Sequence, residues 1–98
     1  MIRVIIERNV NEASLTDYLT LIRKARKQAN SNDGFIAGEL LQSKDNPCHA
    51  VIISSWDSYD SWELWSKSDI RLKVLDEMRP FLNSDEKVTV LENSQLLS

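Results

Sequence analysis

An α+β sandwich is predicted by three features of the chain: short β-branched runs alternate with amphipathic stretches, apolar residues recur at helical spacing in those stretches, and turn chemistry marks the boundaries. Ninety-eight residues, of which 42% are apolar, suffice for a single core. A chain of this size buries roughly 65% of its unfolded surface on folding, so residues 1–98 are expected to form one domain.

The elements follow in order. Ile2-Arg-Val-Ile-Ile-Glu-Arg-Asn9 alternates as a strand, with Ile2, Val4, Ile6 and Arg8 on one face and Arg3, Ile5 and Glu7 on the other. Asn11 or Ser14 caps an amphipathic helix in which Leu15, Tyr18, Ile22, Ala25 and Ala29 recur at steps of three and four. Asn30-Ser-Asn-Asp-Gly34 ends it, since Asn and Gly accept the left-handed conformation of a helix C-terminus. Phe35 to Leu41 reads as a second strand, in which Gly38 signals a bulge or a close backbone approach. After the turn at Ser43-Lys-Asp-Asn-Pro47, His49 to Trp56 forms its hairpin partner. Asp57 or Ser58 caps a short helix from Tyr59 to about Ser66. Ser68 or Asp69 begins another, with Leu72, Leu75, Met78 and Leu82 as its buried stripe and Pro80 ending or bending it near Arg79. Lys87 to Leu91 is the last strand, and the tail from Glu92 to Ser98 either pairs or frays. This order, β-α-β-β-α(α)-β, is that of a ferredoxin-like sandwich with its helices on one face of an antiparallel sheet. The opposite face, assigned Ile5, Ile36, Leu40, Ile52 and Leu91, is too apolar to stay wet, so a homodimer packed sheet to sheet is expected.

Charge and cysteine content narrow the function classes. Twelve Lys and Arg against 15 Asp and Glu leave a net charge of −3 and no basic stripe, which argues against nucleic acid or an anionic membrane as partner. Cys48 is the only cysteine, so it makes no internal disulfide and no thiolate cage. Arg3 and Glu7 interrupt the apolar N-terminus before a signal sequence would be complete, and a cytoplasmic protein without a membrane span is expected.

Candidate chemistry concentrates in one segment. Trp56, Tyr59, Trp62 and Trp65 fall within ten residues, and they include every tryptophan of the chain. On a helix Tyr59, Trp62 and Trp65 fan over roughly 120°. They either cap the core, as aromatic rings at helical spacing usually do, or wall a cleft that holds a flat organic molecule. Arg8, ending an apolar row, either extends along its stem to solvent or anchors a phenolate, enolate or carboxylate in that cleft. Asn9 has the opposite parity and suits an edge or turn. His49 stands alone at a hairpin end, a weak metal site, and its neighbour Cys48 points to the other face, so the two form no dyad. Gly34-Phe-Ile-Ala-Gly38 lacks the spacing and the helix of a phosphate-cradling loop. No cofactor and no metal are expected.

Several stretches together resemble the antibiotic biosynthesis monooxygenase superfamily of dimeric α+β barrels. They are the polar strand end Glu7-Arg-Asn9, the long helix, the strand entry Asn32-Asp-Gly-Phe35, and Trp56 closing the third strand. Trp56-Asp-Ser-Tyr-Asp-Ser-Trp-Glu-Leu-Trp65-Ser-Lys-Ser-Asp69 is similar to a stretch of that superfamily's heme-degrading branch. There an Asn ending the first strand and a Trp on the second helix line the heme pocket, and a His on the next helix ligates iron. Trp65 matches the Trp; the Asn falls at Arg8, with Asn9 beside it, and the His at Leu75, which offers iron no ligand. The resemblance therefore implies the cofactor-independent branch, in which the anion of a phenolic or quinol substrate passes an electron to oxygen. On that reading Arg8 and Trp65 are catalytic, and Tyr59, Trp62, Asn9 and Trp56 bind the aromatic substrate. The competing expectation is a non-catalytic dimeric module that binds a small ligand or only assembles.

Overall fold

The computed structural model describes residues 1–93. Strand β1 spans Ile2–Asn9, helix α1 Leu15–Asn30, β2 Phe35–Gln42, β3 His49–Trp56, α2 Tyr59–Ser66, α3 Asp69–Met78 and β4 Lys87–Glu92. The strands pair antiparallel in the order β2-β3-β1-β4, with the helices against one face, a ferredoxin-like arrangement. Of the tail, residues 94–98 lie outside the described residues.

Local chemistry accounts for the boundaries. The Asn11 side chain caps a 3-10 turn over Glu12–Ser14 by accepting from the Ala13 N–H at 2.9 Å, whereas Ser14, which precedes α1, makes no side-chain cap bond. Ser58 and Ser68 cap α2 and α3, accepting from the N–H groups of Ser61 and Arg71 at 3.2 Å each. Pro80 stops α3 at Met78 and starts a 3-10 turn over Arg79–Phe81, because it lacks the N–H the helix would need. Gly34 has φ +87°, and a Cβ there would collide with Ser61 Oγ. Its carbonyl accepts from the Asp57 N–H at 2.8 Å, which ties the entry of β2 to the start of α2.

The helix-facing side of the sheet carries the core. Ile2, Val4 and Ile6 pack with Trp56, Trp62 and Trp65, and a second cluster joins Val10, Tyr18, Ile22, Ala25, Ala50 and Met78. Several expectations change. Leu40 and Ile52 face the helices rather than the open side of the sheet, because they pair with each other and Ile52 pairs with Ile6. The bulge lies between Phe35 and Ala37, leaving Ile36 unpaired and exposed, two residues before Gly38. The open face holds Ile5, Ile53, Val51, Leu41 and Leu91, bordered by Arg3, Glu7, Glu39 and Lys87. On α3 Arg71 and Met78 are buried and Val74 and Leu75 half-buried; Leu72 is exposed, and Leu82 lies beyond the proline, beside Val10 in an isolated bridge. No helix among the described residues is long and apolar enough to cross a membrane.

Candidate functional site

The indoles are set by two elements. Trp56 ends the helix-facing row of β3, and Trp62 and Trp65, three apart on α2, descend onto it. Trp56 is fully buried and donates its Nε1–H to Ser54 Oγ at 3.1 Å. Its ring meets Phe35 and Trp62 edge to face, at centroid distances of 5.3 and 5.8 Å. These rings are core, and they also wall a space. Between them, α1, α3 and the sheet lies a cavity of about 90 Å³, lined by Ile6, Arg8, Trp56, Trp62, Trp65 and Arg71 among others. An apolar protein cavity that holds one benzene measures about 150 Å³, so an aromatic guest must widen this one. At its edge Arg26 of α1 donates from Nη2 to the Gly38 carbonyl of β2 at 3.0 Å, and Arg26 and Glu39 are exposed.

Arg8 does not extend along its stem to solvent; it lines the cavity and is held by an internal carboxylate. It is 4% exposed, and its Nε and Nη2 both donate to Glu86 Oε2, at 2.9 and 2.8 Å. Its Nη1 donates to the Tyr18 hydroxyl at 3.2 Å. Glu86, in the loop before β4, also accepts from Arg71 Nη2 at 3.0 Å through its other oxygen. The Arg71 guanidinium lies over the Trp62 ring, 5.3 Å from its centroid. Among the described residues one carboxylate therefore serves two guanidiniums, and the cluster they form carries a net positive charge in an acidic chain. Burial pushes the Glu86 carboxyl up, but the charges of Arg8 and Arg71 and their hydrogen bonds outweigh it and hold the group below its ordinary range.

The remaining candidates stand elsewhere. Tyr59 is half exposed at the start of α2 and does not line the cavity, because the 120° fan carries it past the edge of the core. Asn9 is exposed and off the cavity as well. Its Nδ2 donates to Ser84 Oγ at 3.4 Å and its carbonyl accepts from the Asn83 N–H at 2.9 Å, which holds the loop that delivers Glu86. His49 lies 3.7 Å from Glu7 on the open sheet face. Leu75 contributes only an isobutyl group to the cavity wall, so the site does not fit the iron ligation of a heme-degrading relative.

Pattern reading missed Arg71, Glu86 and Ser54, and placed Tyr18 only in the apolar stripe of α1. Arg71 stands four and seven residues before Leu75 and Met78, so it shares their helix face, a spacing that could have exposed it. Glu86 had no local signal: it meets Arg8 across 78 positions of sequence.

Residues 1–76 match the family model described as Antibiotic biosynthesis monooxygenase. Protein SchA of Streptomyces halstedii is 22% identical over 81 residues, which are 83% of this chain and 21% of SchA. The chain spans about a fifth of the length of the curated relatives it matches. A conserved protein of Methanosarcina mazei superposes with a TM-score of 0.90 at 16% identity, covering 95% of this chain and 92% of that one. SnoaB, a cofactor-independent oxygenase of Streptomyces nogalater, superposes in a mutant form with a TM-score of 0.85 at 14% identity, covering 96% and 93%. At such identities the structural likeness is one of fold.

Proposed function

Because the chain belongs to the antibiotic biosynthesis monooxygenase family, we propose that it is a cofactor-independent monooxygenase acting on a small electron-rich aromatic or quinol, with 1–98 as one functional domain. The observation that carries this reading is the cavity itself, walled by three indoles and backed by two guanidiniums. Widened by its guest, such a site holds a flat ring against the indoles and stabilises an anion derived from it. In the proposed reaction dioxygen is the oxidant and the ring supplies the electrons. For a phenol, one oxygen atom replaces a ring C–H by C=O and the other leaves as water with the two hydrogens the phenol loses, so no external reductant enters. Trp65, with Trp62 and Trp56, forms the wall against the ring, and Arg8 contributes positive charge from the strand side. Tyr59 and Asn9, off the cavity, have no contact with the ring in this reading.

The test is oxygen uptake with a panel of quinols and polyphenols. Uptake is expected, and Trp65→Phe or Arg8→Ala is expected to lower it by about tenfold or more. Uptake indifferent to both changes, or no uptake with any member, overturns the proposal. The second reading, a ligand-binding module without turnover, draws on one observation: among the described residues Glu39 at the exposed edge is the only carboxylate in the lining, and Glu86 is engaged by two arginines. Saturable ligand binding without uptake favours it.

The proposed partners are a small aromatic molecule and a second copy of the chain, docked through the Ile5, Ile53 and Val51 face of the sheet. A reducing cytoplasm suits the single cysteine.

A further inference from the structure

We propose that the cavity takes an aromatic carboxylate, a ring bearing a permanent negative charge, and that Arg71 is the residue that selects it. The inference rests on the reading of the cavity as a substrate site and names the substrate class.

Three observations support it. First, the charges do not balance: among the described residues Arg8 and Arg71 share the single carboxylate of Glu86, so the cluster holds one positive charge in excess. A buried charge without a counter-ion is costly, and an entering carboxylate supplies the missing one. Second, the two guanidiniums are not equivalent. Arg8 uses Nε, Nη1 and Nη2 on Glu86 and Tyr18, whereas Arg71 makes one side-chain hydrogen bond among the described residues, from Nη2 to Glu86. The Nε–H and Nη1 donors of Arg71 remain for a ligand, although the residue is only 9% exposed and lines the cavity. Third, Arg71 lies against the Trp62 ring. That contact restrains the guanidinium beside the aromatic wall, so a ring against the indoles brings its carboxylate to the free donors. A neutral ring of the same shape leaves the excess charge uncompensated.

Titration of tryptophan fluorescence is a direct readout, since Trp56, Trp62 and Trp65 all line the cavity. The probes are benzoate, its neutral isostere benzamide, and acetate as an anion without a ring, at pH 7. Benzoate is expected to bind about tenfold or more tighter than either. Arg71→Gln should abolish the preference over benzamide, and Arg71→Lys, which keeps the charge, should restore part of it. Glu86→Gln removes the internal counter-ion and should tighten benzoate, the opposite of what general loosening of the site would do. Circular dichroism checks that each variant is folded.

Equal affinity for benzoate and benzamide in the unaltered protein overturns the inference, as does a benzoate preference that persists in Arg71→Gln. Acetate binding as tightly as benzoate also overturns it, because the anion would then sit apart from the rings. A benzoate preference that follows Arg71, in a protein that consumes no oxygen with any substrate, sustains the inference while the monooxygenase reading fails. Oxygen uptake confined to uncharged substrates does the reverse.

Discussion

Arg8 and Glu86 meet beside the cavity, Nη2 to Oε2 at 2.8 Å, and join the end of the first strand to the residue before the last. Arg71 closes on the second oxygen of the same carboxylate, so three separate elements of the chain are held at one buried point. The geometry makes the carboxylate the hub: its removal strands two cations, whereas the loss of either arginine leaves the carboxylate one partner.

Truncation at the hub should therefore cost more than truncation at its rim. Glu86→Ala is expected to destabilise the fold by about 3–5 kcal/mol, the usual cost of leaving buried charges without a partner. Arg8→Met, which keeps an apolar stem beside Ile6 and leaves Glu86 paired with Arg71, should cost less. Urea unfolding followed by tryptophan fluorescence ranks the two, and an equal or reversed order refutes the hub.

Stability should also depend on acid in a particular direction. The folded protein holds the Glu86 carboxyl below its ordinary value of 4.5, so the unfolded chain binds its proton first as pH falls. The contribution of the cluster is therefore full above that ordinary value and is lost as pH drops through the lowered folded value. Thermal unfolding from pH 6 downward should show this loss, and Glu86→Gln should remove this group's share of the slope. An unchanged acid limb in Glu86→Gln assigns the slope to other carboxylates.

The open sheet face makes a separate prediction. Ile5 and Ile53 are paired across β1 and β3 at its middle, with Val51 and Leu91 nearby. Sedimentation at micromolar concentration should give a dimer of the 11.3 kDa chain. Ile53→Asp, which places a charge at the centre of that face, should shift it to the monomer while leaving the helix-side core folded. An unaltered protein that sediments only as the monomer contradicts the assembly.

Much of the architecture was legible in the residue pattern. Alternation in Ile2 to Glu7 identified the helix-facing row and placed Arg8 at its end, and Ser58, Ser68 and Pro80 marked the boundaries of α2 and α3. The spacing of Trp62 and Trp65 put both rings on the cavity wall, although the same spacing wrongly included Tyr59. The bulge at Ile36 shifts the register of β2 and so turns Leu40 to the helices, whereas Ile52 sits in the unbroken register of β3, where a short apolar run looks the same in either parity.

Sequence by itself determined the element order, the short segments in which the caps lie, the apolar row of β1 and the aromatic segment that walls the cavity, because each rests on contacts between near neighbours or on a fixed periodicity. Tertiary structure alone decided the electrostatics of that site. Arg8, Arg71 and Glu86 lie on different elements and carry no shared local pattern, and only folding brings both guanidiniums within 3.0 Å of the one carboxylate, where burial makes the uneven count of two cations to one anion among the described residues matter.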